Sequence, residues 1–218
     1  MRLFVDTANV KEIYEAAELG VVTGVTTNPS LAAKEGISDP DAYKKTVQEI
    51  AKVISGPISV EVVSTEAKDM IEEGLKIADW IDNVWVKIPS TLAGFEAIHK
   101  LSDQGINTNQ TLCFSTNQAI LGAQAGSTVV SPFVGRLDDI AQDGMAMVGE
   151  IVEIYRKFPT IKTQVMAASI RHPFHCHQAA LMGADISTVP FGIIKKMAEH
   201  PLTDKGMELF LNDWYGSK

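Results

Sequence analysis

The chain has 218 residues, 45% of them hydrophobic and 21% charged, with 19 lysines and arginines against 27 acidic residues for a formal net charge of −8. This is the length of one globular domain with enough apolar residues for a core, and it excludes a disordered chain. The acidity excludes a nucleic-acid binder dominated by phosphate contacts and disfavours an anionic membrane surface, but it leaves room for a small phosphorylated ligand held by a few local cations.

The two cysteines, Cys113 and Cys176, form no CxxC pair. A disulfide framework and a cysteine-rich zinc site are therefore excluded, and both thiols read as reduced core residues of a cytoplasmic protein. The opening segment reaches Asp6 too early for a signal peptide, and no apolar run approaches the ~20 residues of a membrane span.

Short apolar, β-branched runs recur along the chain: Leu3–Val5, Val22–Thr26, Ile58–Val63, Val84–Ile88, Ile106–Leu112, Thr128–Ser131, Ile161–Ala167 and Asp185–Val189. Helix-like stretches lie between them. Val10–Leu19 is the first. Asp41–Ile54 puts Tyr43, Val47, Ile50 and Ile54 on one stripe, behind an Asp39 N-cap and a first-turn Pro40. Asp138–Tyr155 repeats the pattern with Ile140, Met147, Ile151 and Ile154, and Phe191–Glu199 follows the eighth run. Strict alternation of this kind predicts a parallel sheet covered on both faces, which is why the runs are nearly continuous rather than alternating. Eight units close into an α/β, (β/α)8 TIM barrel spanning residues 1–218 as a single domain. An open doubly wound sheet would carry a glycine-rich first turn, and none follows Val5. Residues 203–216 form a surplus C-terminal helix bearing Phe210, Leu211 and Trp214, either a cover for the barrel's own outside or an arm on a neighbouring subunit.

Active groups of such a barrel sit at the C-terminal ends of the strands. The polar residues there are Asp6; Thr26, Thr27 and Asn28; Glu61; Lys87; Asn109 and Thr111; Ser131 with Arg136 beyond; and Ser169 and Arg171. The eighth strand ends Thr188-Val189-Pro190 and reads as nearly silent.

Lys87 is the most informative of these. Alternation in Val84-Trp85-Val86-Lys87-Ile88 gives the aliphatic residues to the helices and turns Lys87 inward with Trp85. A buried ammonium either finds an anion or loses its proton, and a neutral amine attacks ketones to give an iminium that serves as an electron sink. The competing reading is a structural pair with Asp6 or Glu61. Those two acids could divide the proton transfers of Schiff-base chemistry, although Asp6 could equally cap the helix from Asn9.

Arginine occurs only at Arg2, Arg136, Arg156 and Arg171. Two of these follow strand ends, where their forks suit a phosphate, with Ser169 nearby; the competing reading is a pair with Asp138, Asp139 or Asp185. His172, His175, Cys176 and His177 lack metal-site spacing and read as capping or surface residues, so no metal is expected.

Taken together, Phe4-Val-Asp6-Thr-Ala-Asn9, Gly24-Val-Thr-Thr-Asn28-Pro-Ser30, Val86-Lys87-Ile-Pro89, Ile106-Asn-Thr-Asn109-Gln-Thr111-Leu112, Ser131-Pro-Phe133-Val-Gly-Arg136 and Ala168-Ser169-Ile-Arg171 resemble the transaldolase family, in order along the whole chain. The length resembles its small single-barrel members and their fructose-6-phosphate aldolase relatives. The resemblance implies a Schiff-base transferase of the pentose phosphate pathway that moves a dihydroxyacetone unit between sugar phosphates, without a cofactor. It implies that Lys87 forms the Schiff base, that Asp6 takes the proton from the donor's C4 hydroxyl, and that Glu61 and Thr111 hold a relay water. Asn28 and Asn109 would bind the triose, Thr26 and Ser131 would line the site, and Arg136, Ser169 and Arg171 would hold phosphate. Phe133 stands where the aldolases carry tyrosine and Glu61 where they carry glutamine, both as in the transfer enzymes. Phe133 removes a hydroxyl that would partner the catalytic water and keeps the spot drier, which favours an enamine that waits for an acceptor. A homo-oligomer, pentamer or decamer, is also implied. The readings that remain beside it are the aldolase, a lyase, and a non-catalytic phosphosugar-binding barrel. A deoxyribose-phosphate aldolase would carry its lysine on the sixth strand, where Thr128–Ser131 has none.

Overall fold

Burial on both faces shapes every strand. The computed structural model describes residues 1–216. In chain order the elements are β1 (Arg2–Asp6), α1 (Val10–Glu18), β2 (Val25–Thr26), α2 (Pro29–Lys34), α3 (Pro40–Ala51), β3 (Ile58–Glu61), α4 (Ala67–Ala78), β4 (Val84–Pro89), α5 (Leu92–Ser102), β5 (Thr108–Cys113) and α6 (Thr116–Gln124). After these come β6 (Val129–Pro132), α7 (Val134–Asp138), α8 (Gly144–Lys157), β7 (Gln164–Ala167), α9 (Pro173–Met182), β8 (Ile186–Val189), α10 (Phe191–Ala198) and α11 (Pro201–Tyr215). The strands pair in parallel in sequence order, and β8 closes onto β1 with Phe4 opposite Thr188. This is the expected (β/α)8 TIM barrel with an extra C-terminal helix. No helix among the described residues is long and apolar enough to cross a membrane.

Alternation along the strands separates two apolar regions. Val60, Val84, Val86, Ile88, Val130 and Val165 face the helices in one sheath. Phe4, Trp85, Val129, Met166 and Ile186 form a second cluster, the inner floor of the barrel. Above that floor the inward positions are polar: Ser59, Lys87, Asn109 and Ser131 are all buried. The apolar floor closes one end and leaves the chemistry at the other.

The expected helix Asp138–Tyr155 is helical only from Gly144, as α8; Asp138 is the last residue of α7, and a turn lies between. Ala141 takes a left-handed backbone at φ 60, and Asp143 caps a new start by accepting from the Ala146 amide at 2.8 Å. Ile140 therefore lies outside the stripe, 65% exposed. Asp39 and Pro40 do begin α3, with the Asp39 side chain accepting from Ala42.

The floor carries much of the stability. Phe4→Ala should cost about 3–5 kcal/mol and lower Tm by several degrees, whereas Leu92→Ala, exposed at the start of α5, should stay within about 0.5 kcal/mol. Denaturant melts of both variants check this contrast.

Candidate active site

Register places the charged residues of the barrel side by side. Glu61 of β3 lies opposite Lys87 of β4, and Lys87 opposite Asn109 of β5. In a parallel sheet such partners share a face, so the three inward groups form one row. The Lys87 ammonium lies 3.0 Å from a Glu61 carboxylate oxygen and donates to the Thr27 carbonyl at 3.2 Å. Its side chain is 5% exposed and that of Glu61 13%, so the pair is screened little by solvent. Burial has thus found the anion that the sequence demanded.

Asp6 lies across from this pair at the end of β1. It is not a helix cap: Asn9 accepts from Glu12 to start α1, and Thr7 takes the Asn9 amide. The Asp6 carboxylate instead accepts from the Thr26 hydroxyl at 2.6 Å. Thr26 also bonds the Thr188 hydroxyl. Because a carboxylate only accepts, the protons run from Thr188 to Thr26 to Asp6. The eighth strand, silent in the sequence, thereby supports the acid. Burial holds Asp6 above the usual carboxylate range; the Lys87 charge, the Thr26 hydrogen bond and the more distant Lys34 oppose it.

These groups open into a polar pocket of about 110 Å³ lined by Asp6, Thr26, Asn28, Lys87, Ser131, Phe133, Arg136, Ala168, Ser169 and Thr188. That is the volume of about four waters, enough for a few heavy atoms of a sugar. Asn28 caps α2 through its Oδ1, which accepts from Leu31 at 2.9 Å, leaving its amide side for a ligand. Arg136 extends over the Phe133 ring, 5.1 Å from its centre, and Phe114 packs edge-on to the same ring. The stacked arginine keeps its donors free for an anion.

Four expected site residues lie outside this pocket lining. Asn109 sits beneath it, donating to Ser59 at 3.0 Å and accepting from Ser131 at 2.7 Å. Thr111 shares Asn109's face nearer the mouth, and its buried hydroxyl has no partner within the protein. Arg171 pairs with Asp139 at 2.7 Å, the ion-pair reading of this residue rather than a ligand-facing one. Glu61 lines a second opening instead, an apolar groove of about 700 Å³ between α2, α3 and α4 that includes Pro29, Tyr43, Ile77 and Trp80. The larger space lacks Lys87 and Arg136, which line the smaller one together with Asp6. Sequence reasoning missed Ser59, Thr188 and Tyr43, whose hydroxyl bonds Thr27 next to the lysine. Burial lifts Cys113 to about 11, which leaves it an unreactive thiol at neutral pH.

The profile of the Transaldolase/Fructose-6-phosphate aldolase family matches residues 3–215. A protein named "Probable transaldolase" from Caldicellulosiruptor saccharolyticus is 55% identical over 214 residues, covering 98% of this chain and 97% of its own. Another of that name from Dehalococcoides mccartyi is 54% identical over 215 residues, 98% of each chain. Among solved structures, a thiamine phosphate pyrophosphorylase from Pyrococcus furiosus superposes with a TM-score of 0.56 at 15% identity, covering 86% of this chain and 85% of that one, a likeness of fold alone. With a family profile spanning almost its whole length and relatives sharing half its residues, the chain belongs to the transaldolase/fructose-6-phosphate aldolase family.

Proposed function

We propose that this protein is a transaldolase that moves a dihydroxyacetone unit from fructose 6-phosphate or sedoheptulose 7-phosphate to glyceraldehyde 3-phosphate or erythrose 4-phosphate. The observation that carries this reading is the buried Lys87 amine, 3.0 Å from Glu61, opening into a pocket that also holds Asp6 and Arg136. Glu61 accepts a proton from the ammonium, and the neutral amine attacks the ketose carbonyl. The carbinolamine loses water to give an iminium. Asp6 takes the C4 hydroxyl proton, the C3–C4 bond breaks, and the electron pair moves into the iminium as an enamine while the aldose phosphate leaves. The enamine then adds to the carbonyl of an incoming aldose phosphate, Asp6 returns its proton, and water releases the product from Lys87. Glu61 and Thr111, whose hydroxyl is otherwise unpartnered, hold the water that relays protons.

Asn28 reaches the triose hydroxyls from the pocket wall, while Asn109 supports Ser131 from below. Arg136 and Ser169 hold the phosphate; Arg171 joins them only by exchanging Asp139 for it. Such an enzyme acts on sugar phosphates in the cytoplasm, within the pentose phosphate pathway, and needs no cofactor because the iminium is the electron sink.

The deciding assay supplies fructose 6-phosphate with and without erythrose 4-phosphate. Sedoheptulose 7-phosphate should form only with the acceptor, with little free dihydroxyacetone, and Phe133→Tyr should shift the balance toward release. Ready release by the wild type would make the protein an aldolase. Absence of a borohydride-trapped adduct at Lys87 would leave a non-catalytic barrel.

The raised Asp6 fixes two signs. As a base it must be ionised, so the acid limb of kcat/KM should lie above the ~3.9 of an ordinary aspartate. A carboxyl whose folded value is raised contributes stability below its unfolded value and loses it as pH rises through the folded one. At pH 7, above the unfolded value, the group is therefore a cost to the fold relative to acid. Asp6→Asn should lower kcat by about 10²–10⁴-fold yet raise Tm at neutral pH, as paired kinetics and calorimetry can check.

We further propose that α11 is an arm seated on a second copy of the chain. None of its residues is buried, and Met207, Phe210, Leu211 and Trp214 form one apolar stripe. A solitary 15-residue helix is marginal in water, so this stripe needs a surface. Sedimentation should give a pentamer or decamer for the full chain and a smaller species when the chain ends at His200.

A further inference from the structure

A single phenol stands behind both groups that hold the lysine. Lys87 Nζ meets a Glu61 carboxylate oxygen at 3.0 Å and donates to the Thr27 carbonyl at 3.2 Å. Glu61 ends β3, and Thr27 lies just past β2, which is only two residues long. Neither partner is on the lysine's own strand, so the aim of the amine depends on how those two segments are held.

Tyr43 of α3 meets both segments. Its hydroxyl bonds the Thr27 hydroxyl, and the Glu61 backbone amide faces its oxygen. The direction of the first bond follows from the next one along. Thr27 Oγ1 lies 2.8 Å from the Ser59 carbonyl, which can only accept, so the single Thr27 hydroxyl proton is committed there. Tyr43 must then donate to Thr27. Burial, aided by the Glu61 charge, pushes Tyr43 above the ordinary tyrosine value, so its hydroxyl keeps its proton at neutral pH. The ring lines the apolar groove and packs edge-on to Trp80 at 5.8 Å. Tyr43 therefore reaches the partners of the amine from behind, without lining the pocket itself.

We propose that Tyr43 is a positioning residue for Schiff-base formation: its hydroxyl ties the Thr27 segment to the end of β3 and so sets the direction from which the Lys87 amine attacks. The inference rests on the reading of Lys87 as the nucleophile. A neutral amine has two N–H groups, and the Thr27 carbonyl and Glu61 accept one each. The lone pair is left in the remaining tetrahedral direction, toward the pocket that Lys87 lines. Loosening one acceptor lets the amine turn about the Cε–Nζ bond, and fewer encounters meet a carbonyl in line. Thr26 and Asn28, on either side of Thr27, are held separately by Asp6 and by the start of α2, so the tie acts on the amine rather than on the whole segment.

The test separates aim from stability. The readout is the rate of borohydride trapping at Lys87 with saturating dihydroxyacetone, a ketone without a phosphate. Tyr43→Phe removes only the hydroxyl and should slow trapping about tenfold, the scale of one lost buried hydrogen bond. Its kcat with fructose 6-phosphate should fall in step, while its affinity for inorganic sulfate stays within about twofold of wild type. Tyr155→Phe is the control, because it removes the same atom from another buried tyrosine, whose hydroxyl donates to the Ala119 carbonyl at 2.7 Å between α8 and α6. That variant should lose Tm comparably and trap at the wild-type rate.

Thr27→Val should slow trapping as Tyr43→Phe does, and the double variant should lose no more than about twofold beyond either single one, since both break the same tie. Thr27→Ser keeps the hydroxyl and should trap within about twofold of wild type. The two Thr27 variants test the tie even where Tyr43→Phe folds poorly. Wild-type trapping in Tyr43→Phe, a parallel loss of its sulfate affinity, equal slowing in Tyr155→Phe, additive losses in the double variant, or equal losses in Thr27→Ser and Thr27→Val would each overturn the proposal while leaving the enzyme reading intact. No adduct at Lys87 in the wild type would overturn the Schiff-base reading, and the proposal with it.

Discussion

The structure depends on one buried cation. An ammonium inside a parallel barrel, 5% exposed, must be matched by negative charge, and Glu61 on the adjoining strand supplies it. Two acids nevertheless surround one lysine. Glu61 is in contact with it, whereas Asp6 feels its charge without being relieved of burial. The imbalance gives the acids different characters: one is the ion-pair partner of Lys87, the other a carboxyl that favours a proton. The proposed division of acid–base labour rests on this asymmetry, because two carboxylates with equal surroundings would exchange protons with each other as readily as with a substrate.

Everything around the pair serves to keep that asymmetry fixed. The Thr188–Thr26 chain commits one oxygen of Asp6. On the other side, Thr27 gives its carbonyl to Lys87 and its hydroxyl to the Ser59 carbonyl, while Tyr43 closes over it from α3. Ser59, Asn109 and Ser131 join β3, β5 and β6 in a buried hydrogen-bonded bridge beneath the pocket. A satisfied network of this kind is stiff, since each member moved would leave a buried donor or acceptor unpaired. The apolar floor of Phe4, Trp85, Val129, Met166 and Ile186 then denies water a path from below.

How far the sequence revealed this depends on the range of each interaction. Strands were legible because coverage on both faces leaves apolar runs, and Lys87 stood out because a single cation interrupts one of them. Asp6 and Glu61 were legible for the same reason. Thr188 was not, because a threonine between Ser187 and Val189 looks like any β-branched strand residue, and only the closure of β8 on β1 brings it to Thr26. The break between α7 and α8 was hidden too: the apolar pattern of Ile140, Met147, Ile151 and Ile154 runs straight through it, whereas Asp143 caps a new helix and Asp138 folds back onto its first amide. His175 followed the same rule. It is buried, against the surface position expected for it; its partners, His172 and Asp138, come from the residue before its own helix and from another helix, and no periodicity records them.

The two strand-end arginines show where placement stops being informative. Both follow a barrel strand, and a count of strand ends cannot separate them. Arg136 emerges beside Phe133, with its guanidinium over that ring and its side chain lining the pocket. Arg171 emerges one loop later beside Asp139, which takes a donor directly. That surface pair, with both side chains about half exposed, adds little stability. It therefore exchanges at small cost, which suits the recruitment proposed for Arg171. The aromatic neighbour fixes its arginine and the acidic neighbour lends its own, so under the proposed reading a pocket with room for about four waters meets a phosphate with one standing contact and one recruited contact.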